Sequence, residues 1–381
     1  METLGVRPSP ASDNLLMPGD MAPWFVADCT SNPRYAFNTV AGRYVVMAFI
    51  GSAGSTQGAK HLAGALANAS LYDDNHVLMF GVSIDPDDRE RMTPRVPGVR
   101  HFWDNDRVIS ALYGALPSPQ ADAADYQSLT FVLDPALRVI ARIPASDPSH
   151  DQVLAKFLHA LPPVDHYAGT TLHAPVLVAP FVFERSFCQE LIAEYERGQA
   201  TDSGFMREEN GRTVGKVDHG VKRRFDVLIE SEQLRKGAMA RISRRLLPMI
   251  RRAFDFDATR MERHIVACYD AAGGGYFRAH RDNTTKGTAH RRFAVTINLN
   301  AEEYDGGDLR FHEFGRRTYR APTGGAVVFS CSLLHEATAV TSGRRFAYLP
   351  FLYDDRAAAQ RAENNRFLAD GVARYEIRES G

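Results

Sequence analysis

Cysteine is scarce in this sequence. Cys29, Cys188, Cys268 and Cys331 lie far apart and form no CxxC pair. That excludes a disulfide-stapled scaffold and a thiolate metal site, and it points to a reduced, cytoplasmic setting. Net charge is nearly absent too. The formal value is −1 over 381 residues, so no global field draws the chain to nucleic acid or to an anionic membrane, and neither is expected as a partner. No apolar run approaches the ~20 residues that span a bilayer. The first residues lack the charged start and apolar core of a signal peptide. There is no long low-complexity linker.

What is present is enough chain for two domains. Residues 1–17 read as a loose arm. Tyr44 to Ile50 is a continuous apolar run of strand length, the pattern of a buried strand. A Gly/Ser loop, Gly51 to Gly58, breaks it, and residues 58–70 repeat apolar positions at helical spacing. Val77 to Ile84 is a second buried strand. Leu129–Asp134 and Val139–Ile143 read as a hairpin, and a helix at 149–160 closes an α/β unit. Leu-Pro-Pro at 161–163 ends that helix, so the boundary is drawn at 164/165.

Beyond it, Ser186 and Gln189 form a capping-box pattern that opens a helix. Residues 198–222 are polar and contain Gly204, Gly211, Gly215 and Gly220, which reads as a long surface loop of the kind that forms lids. Residues 230–254 are expected to form one amphipathic helix. From 261 onward short strands and glycine turns suggest a double-sheet jelly roll. Along 293–300, Phe293, Val295, Ile297 and Leu299 fall on one face and Ala294, Thr296 and Asn298 on the other.

The chemistry-bearing residues gather in that second half. His280 and Asp282, two apart on a strand, share a face. His335 follows a buried strand and can return to them. Two imidazoles and one carboxylate on one face suit Fe(II) and leave coordination positions open. Ten residues on stands Arg345, whose planar fork suits a carboxylate. Alternation places Arg345 with Ala347, where a small residue leaves room, and Arg344 with Phe346 and Tyr348. Lys222-Arg223-Arg224 reads either as a contact for an acidic substrate or, with more weight, as a solvated basic turn.

The ordered run Tyr269, Tyr276-Phe277, His280-x-Asp282, Asn298-Leu299-Asn300, Gly306 to Phe311, Gly324 to Phe329 and His335 to Arg345 resembles the prolyl-4-hydroxylase-like 2-oxoglutarate- and Fe(II)-dependent dioxygenases. The resemblance implies that His280, Asp282 and His335 hold iron. It implies that Arg345 holds the distal carboxylate of 2-oxoglutarate, with Tyr269, Asn298 and Thr296 lining the same pocket. Fe(II), 2-oxoglutarate and O2 are then the cofactors and cosubstrates, with ascorbate as an optional helper. Oxidative decarboxylation would give succinate and CO2 while a substrate C–H bond is hydroxylated. Because Asp282 is present, a halogenase variant is disfavoured. The expected substrate is a peptide residue or a small molecule.

Residues 19–25, 42–46, 81–84 and 131–134 resemble the peroxiredoxin branch of the thioredoxin fold, but the loop that carries the peroxidatic cysteine in that family has none here. The fold class read from the whole is therefore an α/β thioredoxin-like, redox-inactive first domain at 1–164. An α+β double-stranded β-helix (jelly roll) follows at 165–381. Packing, substrate presentation or a homodimer through the first domain are the roles left to it. The alternative is a non-catalytic redox or oxygen sensor, with Cys29 as a sensor thiol or the Gly/Ser loop as an anion cradle.

Overall fold

The computed structural model describes residues 15–376. Most of the arm expected at 1–17 lies outside that range. The chain divides into two compact units: Met1–His173 with His312–Arg316, and Ala174–Phe311 with Arg317–Gly381. The division falls nine residues beyond the 164/165 boundary drawn from the prolines.

The first unit is built on one seven-stranded sheet. Its strands are β1 (Val26–Cys29), β2 (Asn32–Ala36), β3 (Tyr44–Gly51), β4 (Val77–Ser83), β5 (Val99–Trp103), β6 (Leu129–Leu133) and β7 (Val139–Pro144), in the order β2-β1-β5-β4-β3-β6-β7. β3, β4 and β5 run parallel, and β6 and β7 extend the sheet antiparallel. Every residue of β3 is buried, as its apolar run requires for a central strand. Helices α1 (Thr56–Leu66) and α2 (His150–His159) pack beside it.

Ser55 caps α1 by accepting from the Gly58 N–H. A Cβ at Gly58 would lie 2.0 Å from the Ser52 carbonyl, so only glycine fits there. The preceding loop is already occupied by the chain's own carboxylates. Asp88 accepts from the Ala53 N–H at 2.7 Å, and Asp85 accepts from Ser52 Oγ at 2.6 Å. That corrects the anion-cradle reading. Cys29 is buried at the end of β1, beside the Thr30 and Ser31 hydroxyls.

The second unit is mostly sheet. Its strands begin with β8 (Leu177–Ala179), β9 (Thr201–Asp202), β10 (Phe205–Glu209), β11 (Arg212–Lys216), β12 (Lys222–Arg223), β13 (Phe225–Leu228), β14 (Arg260–Glu262), β15 (Ile265–Asp270) and β16 (Tyr276–His280). They continue with β17 (Phe293–Asn298), β18 (Tyr304–Gly306), β19 (Leu309–Arg310), β20 (Thr318–Tyr319), β21 (Ala326–Ser330), β22 (His335–Ala337), β23 (Val340–Tyr348) and β24 (Phe351–Tyr353). A large sheet runs β14-β24-β17-β23-β15-β13-β9, with β8, β18 and β21 attached. A smaller one runs β12-β16-β22-β19-β20.

One face of the large sheet offers Val295, Ile297, Leu299, Val266, Phe346 and Tyr348 to the helices α3 (Arg185–Arg197), α4 (Glu232–Arg241) and α5 (Leu247–Phe254). The opposite face, with Ala267, Tyr269 and Ala347, packs against Phe277 and Ala337 of the smaller sheet. The inward polar residues of β15, β17 and β23 are therefore enclosed between two sheets.

Three local readings need correction. The helix expected to be capped by Ser186 begins at Arg185 with Glu184 at its cap position, so Ser186 is inside the first turn. The single helix expected over 230–254 is interrupted by a π-helical turn, Ile242–Leu246, just before Pro248. Proline has no N–H to give the residue four back, so the ladder must shift there. The expected loop at 198–222 contains the hairpin β10–β11. Its turn is Asn210-Gly211, both at positive φ (49° and 74°), the pair a two-residue hairpin turn favours.

Candidate active site

β16 and β22 pair so that His280 lies opposite His335, with a bulge between Phe277 and His280. The strand ends at His280, and Asp282 sits in the following turn. A shared strand face is therefore not what aims Asp282. The turn is fixed by the Asp282 N–H, which donates to the Cys331 carbonyl at 3.0 Å. The carboxylate then reaches both imidazoles: Oδ1 is 3.5 Å from His280 Nε2 and Oδ2 is 3.4 Å from His335 Nε2. The three donor atoms all lie within 4.8 Å of one another, close enough to share one ion.

The second ring nitrogens are already used. His280 Nδ1 meets the Arg278 carbonyl at 2.8 Å, and His335 Nδ1 meets the Leu333 carbonyl at 3.0 Å. A carbonyl only accepts, so each Nδ1 carries a proton, and Nε2 is the ring atom turned toward the cluster. Burial, with His280 adding, pushes His335 down to about 4, so it is neutral at pH 7. Burial alone would raise Asp282, but His335 and His280 hold its carboxyl well below the usual carboxylate range. Phe277 stacks on His280 with ring centroids 3.5 Å apart. His264 and His290 are engaged elsewhere, with Tyr348 and Glu262.

Arg345 and Arg344 take opposite surroundings. Arg345 is 2% exposed and faces Tyr269 of the neighbouring strand. Its Nε and Nη1 are buried without a hydrogen-bond partner. The Arg344 side chain is 41% exposed and pairs with Glu196 at 2.7 Å. Gly307 makes room for Arg345. A Cβ there would lie 3.0 Å from Arg345 Cδ, and its φ of +68° suits glycine. Tyr304 borders the same cation. Burial pushes its hydroxyl up while Arg345 pulls the other way. Asn298 is buried opposite Ala347, donates Nδ2 to the Ala321 carbonyl at 2.7 Å and leaves Oδ1 unpaired. Thr296 is buried two residues before it.

A polar group that sequence reasoning passed over lies beside Tyr269. Lys222 and Arg224 are buried, which corrects the favoured reading of 222–224 as a solvated turn; only Arg223 is exposed. Arg224 pairs with Asp226 at 2.6 Å and reaches the Tyr269 hydroxyl at 3.4 Å. Lys222 Nζ donates to Ser203 Oγ and the Gly204 carbonyl, both at 2.7 Å. The available signal was alternation: Arg224 and Asp226 share a parity, and Asp226 lies opposite the inward Ala267.

Residues 264–353, which include Tyr269, His280, Asp282, Thr296, Asn298, His335 and Arg345, match the 2OG-Fe(II) oxygenase superfamily. A PKHD-type hydroxylase of Paracoccus denitrificans is 31% identical over 147 residues, covering 35% of this chain and 62% of that protein. Another, from Shewanella frigidimarina, is 48% identical over 52 residues, covering 13% of this chain and 23% of its own length. The chain thus spans less than two thirds of either relative. A prolyl-4-hydroxylase structure from Pseudomonas putida aligns with TM-score 0.38 and 18% identity, over 50% of this chain and 96% of that one. The second compact unit thus contains the stretch that matches the 2OG-Fe(II) oxygenase superfamily, and it is similar in sequence to hydroxylases of the PKHD type.

Proposed function

We propose that the chain is an Fe(II)- and 2-oxoglutarate-dependent dioxygenase that hydroxylates an unactivated C–H bond of a peptide residue or small metabolite. The observation that carries the reading is the convergence of His280, Asp282 and His335 in the same unit as a buried arginine with unused donors. Two imidazoles and a carboxylate are the donor set Fe(II) takes, and they leave positions open. The unpartnered Nε and Nη1 of Arg345 fit a carboxylate, since a buried guanidinium without one leaves its donors unmet. The match of residues 264–353 supports the same cofactors.

In this reading His280 and His335 ligate through Nε2 and Asp282 through its carboxylate. Arg345 takes the distal carboxylate of 2-oxoglutarate, with Tyr269 and Tyr304 beside it. Fe(II) and 2-oxoglutarate bound there supply the oxidation, in which O2 is consumed, succinate and CO2 leave, and a substrate C–H becomes C–OH. The chain's part is positional. The Arg278 and Leu333 carbonyls keep both Nδ1 protons in place, and Phe277 covers one face of His280.

For the second unit we read the two facing sheets as a double-stranded β-helix. For the first we read a thioredoxin-like fold, supported by the parallel β3-β4-β5 core and the antiparallel β6-β7 extension. Redox inactivity is supported by a 51–58 loop without cysteine and by the burial of Cys29 on β1.

The test is anaerobic loading with Fe(II) and titration with 2-oxoglutarate, watching for the visible charge-transfer band of a chelated keto acid. The band is expected in the parent and absent in His280→Ala. Iron uptake by the parent without the band would overturn the reading.

A further inference from the structure

Tyr304 is held firmly by its ring and its backbone, while its hydroxyl is held by nothing. The residue opens β18, opposite Gly343 of β23. It is 5% exposed, and its ring belongs to the enclosed cluster that contains Tyr269, Phe277 and Ala347. The Arg320 guanidinium lies over the ring, 4.3 Å from the centroid. Arg320 also donates to the Tyr304 carbonyl at 2.9 Å and to the Ala301 carbonyl at 3.0 Å, and it pairs with Asp308 at 2.5 Å. One cation, already neutralised by its own carboxylate, thus fixes both the ring and the main chain. The Tyr304 Oη is buried and makes no hydrogen bond. A buried tyrosine hydroxyl ordinarily finds a partner, and an unpaired one is unfavourable.

Arg345 adjoins it. A Cβ on Gly307 would stand 3.0 Å from Arg345 Cδ and 3.4 Å from Tyr304 Cε2, so the two side chains flank one point where glycine supplies no atom. Arg345 Nε and Nη1 are likewise buried without partners. Three unmet polar atoms therefore sit on two neighbouring side chains. All three are donors. A guanidinium has no lone pair to offer. Burial pushes the Tyr304 hydroxyl up while Arg345 pulls the other way, and the hydroxyl keeps its proton at pH 7. Three donors call for an acceptor with several lone pairs, and a carboxylate has about four. Asn298, expected in this pocket, cannot serve that carboxylate. Its Nδ2 is spent on the Ala321 carbonyl, and the remaining Oδ1 only accepts.

We propose that Tyr304 is a binding residue of this pocket: its hydroxyl donates to the distal carboxylate of 2-oxoglutarate beside Arg345, and so selects a dicarboxylic keto acid over one with an apolar end. The proposal rests on the oxygenase reading and adds to it a residue that neither spacing nor strand parity singled out. A keto acid ending in a methyl would leave the hydroxyl and both guanidinium nitrogens unpaired, which a buried site disfavours. The Arg320 contact sets the ring before any ligand arrives, so little ordering is spent on binding.

Tyr304→Phe tests this, because it removes the oxygen and keeps the ring over Arg320. The empty variant should melt no lower than the parent, since what it loses is an unpaired buried oxygen. The full chain is then loaded with Mn(II) and titrated calorimetrically with 2-oxoglutarate and with 2-oxovalerate, which has the same chain length and a methyl in place of the distal carboxylate. In the variant 2-oxoglutarate should bind about tenfold more weakly or worse, the scale of one lost hydrogen bond to a charged group. Mn(II) and 2-oxovalerate should each change by less than about twofold. General damage to the fold would weaken all three together.

Unchanged affinity for 2-oxoglutarate overturns the proposal and leaves the hydroxyl to a buried water. A parallel loss of Mn(II) and both acids, or an empty variant that melts several degrees lower, overturns it as well, since the hydroxyl would then be structural. If the parent binds Mn(II) but not 2-oxoglutarate, the oxygenase reading falls and takes this role of Tyr304 with it. A parent and a variant that bind 2-oxoglutarate equally well remove Tyr304 alone and leave that reading standing.

Discussion

Arg345 stacks on Tyr269 across neighbouring strands, with its guanidinium carbon 4.8 Å from the ring centroid. The ring shields one side of a cation that is otherwise enclosed, and the donors Nε and Nη1 are left to a ligand. Arg344, one residue earlier, spends its charge on Glu196 at the surface.

That contrast yields a prediction. Arg345→Gln should weaken 2-oxoglutarate binding tenfold or more, because a charge-assisted contact is worth about 1.5–3 kcal/mol. Arg344→Gln should change it less than about twofold, as expected for an exposed ion pair. Calorimetric titration of both variants checks this; the opposite ranking would reassign the pocket.

Asp282 sits between both imidazoles, and its removal leaves two ring nitrogens and no carboxylate to hold an ion. Asp282→Ala is expected to abolish the rise in melting temperature that Mn(II) gives the parent, since bound metal stabilises by mass action. Turnover should fall at least about a hundredfold, as loss of a metal ligand implies. A variant melting curve that still responds fully to Mn(II) would remove Asp282 from the site.

The β10–β11 hairpin is fastened at Thr213. Its hydroxyl accepts from the Gly287 N–H at 2.9 Å, and its carbonyl accepts from the Ala369 N–H at 3.0 Å. A side chain at Gly287 would meet Leu368 Cδ2 at 2.5 Å and Thr213 Cγ2 at 3.0 Å. Gly287→Val should therefore free the hairpin, and trypsin should cut at Arg207 or Arg212 several times faster than in the parent. An unchanged digestion pattern would show that the hairpin is held by other contacts.

The first unit should be acid-sensitive. His61 is buried, shares the Thr130 hydroxyl with His150, and is pushed down to about 3 by burial and by His150. Below pH 6.5 the unfolded chain takes up a proton that the folded one refuses. Stability present above 6.5 is thus lost as pH falls toward 3, at most on the order of 1.4 kcal/mol per pH unit. Both tryptophans, Trp24 and Trp103, lie in this unit, so urea melts followed by their fluorescence report it. The midpoint should drop between pH 7 and 4.5, and drop less in His61→Gln.

Much of the architecture could be read locally. The run at 44–50 is apolar throughout, and that at 77–84 is apolar but for Ser83, because a central strand is covered on both faces, and β3 and β4 are indeed wholly buried. Along β17 the alternation of Val295 and Ile297 with Thr296 and Asn298 separates a helix-packed face from an enclosed one. The hairpin at 205–216 was legible as well, through Asn210-Gly211, but the polar composition around it hid the signal.

The sequence by itself singled out the candidates for the chemistry: His280, Asp282, His335 and a choice between two adjacent arginines, narrowed by strand parity. The choice between the arginines depends on the period of two, a local property of a strand, whereas the His-x-Asp pair was legible only as a spacing, since Asp282 sits in the turn after the strand. Tertiary structure alone decided what those residues meet. The turn that aims Asp282 hangs on a carbonyl at Cys331, 49 positions away in the sequence. Lys222 and Arg224 look like ordinary surface cations in the sequence, and they become enclosed only when β12 pairs with β16, β13 pairs with β15 and the two sheets close. Burial is a property of long-range pairing, and the same cation is inert in water and demanding between two sheets.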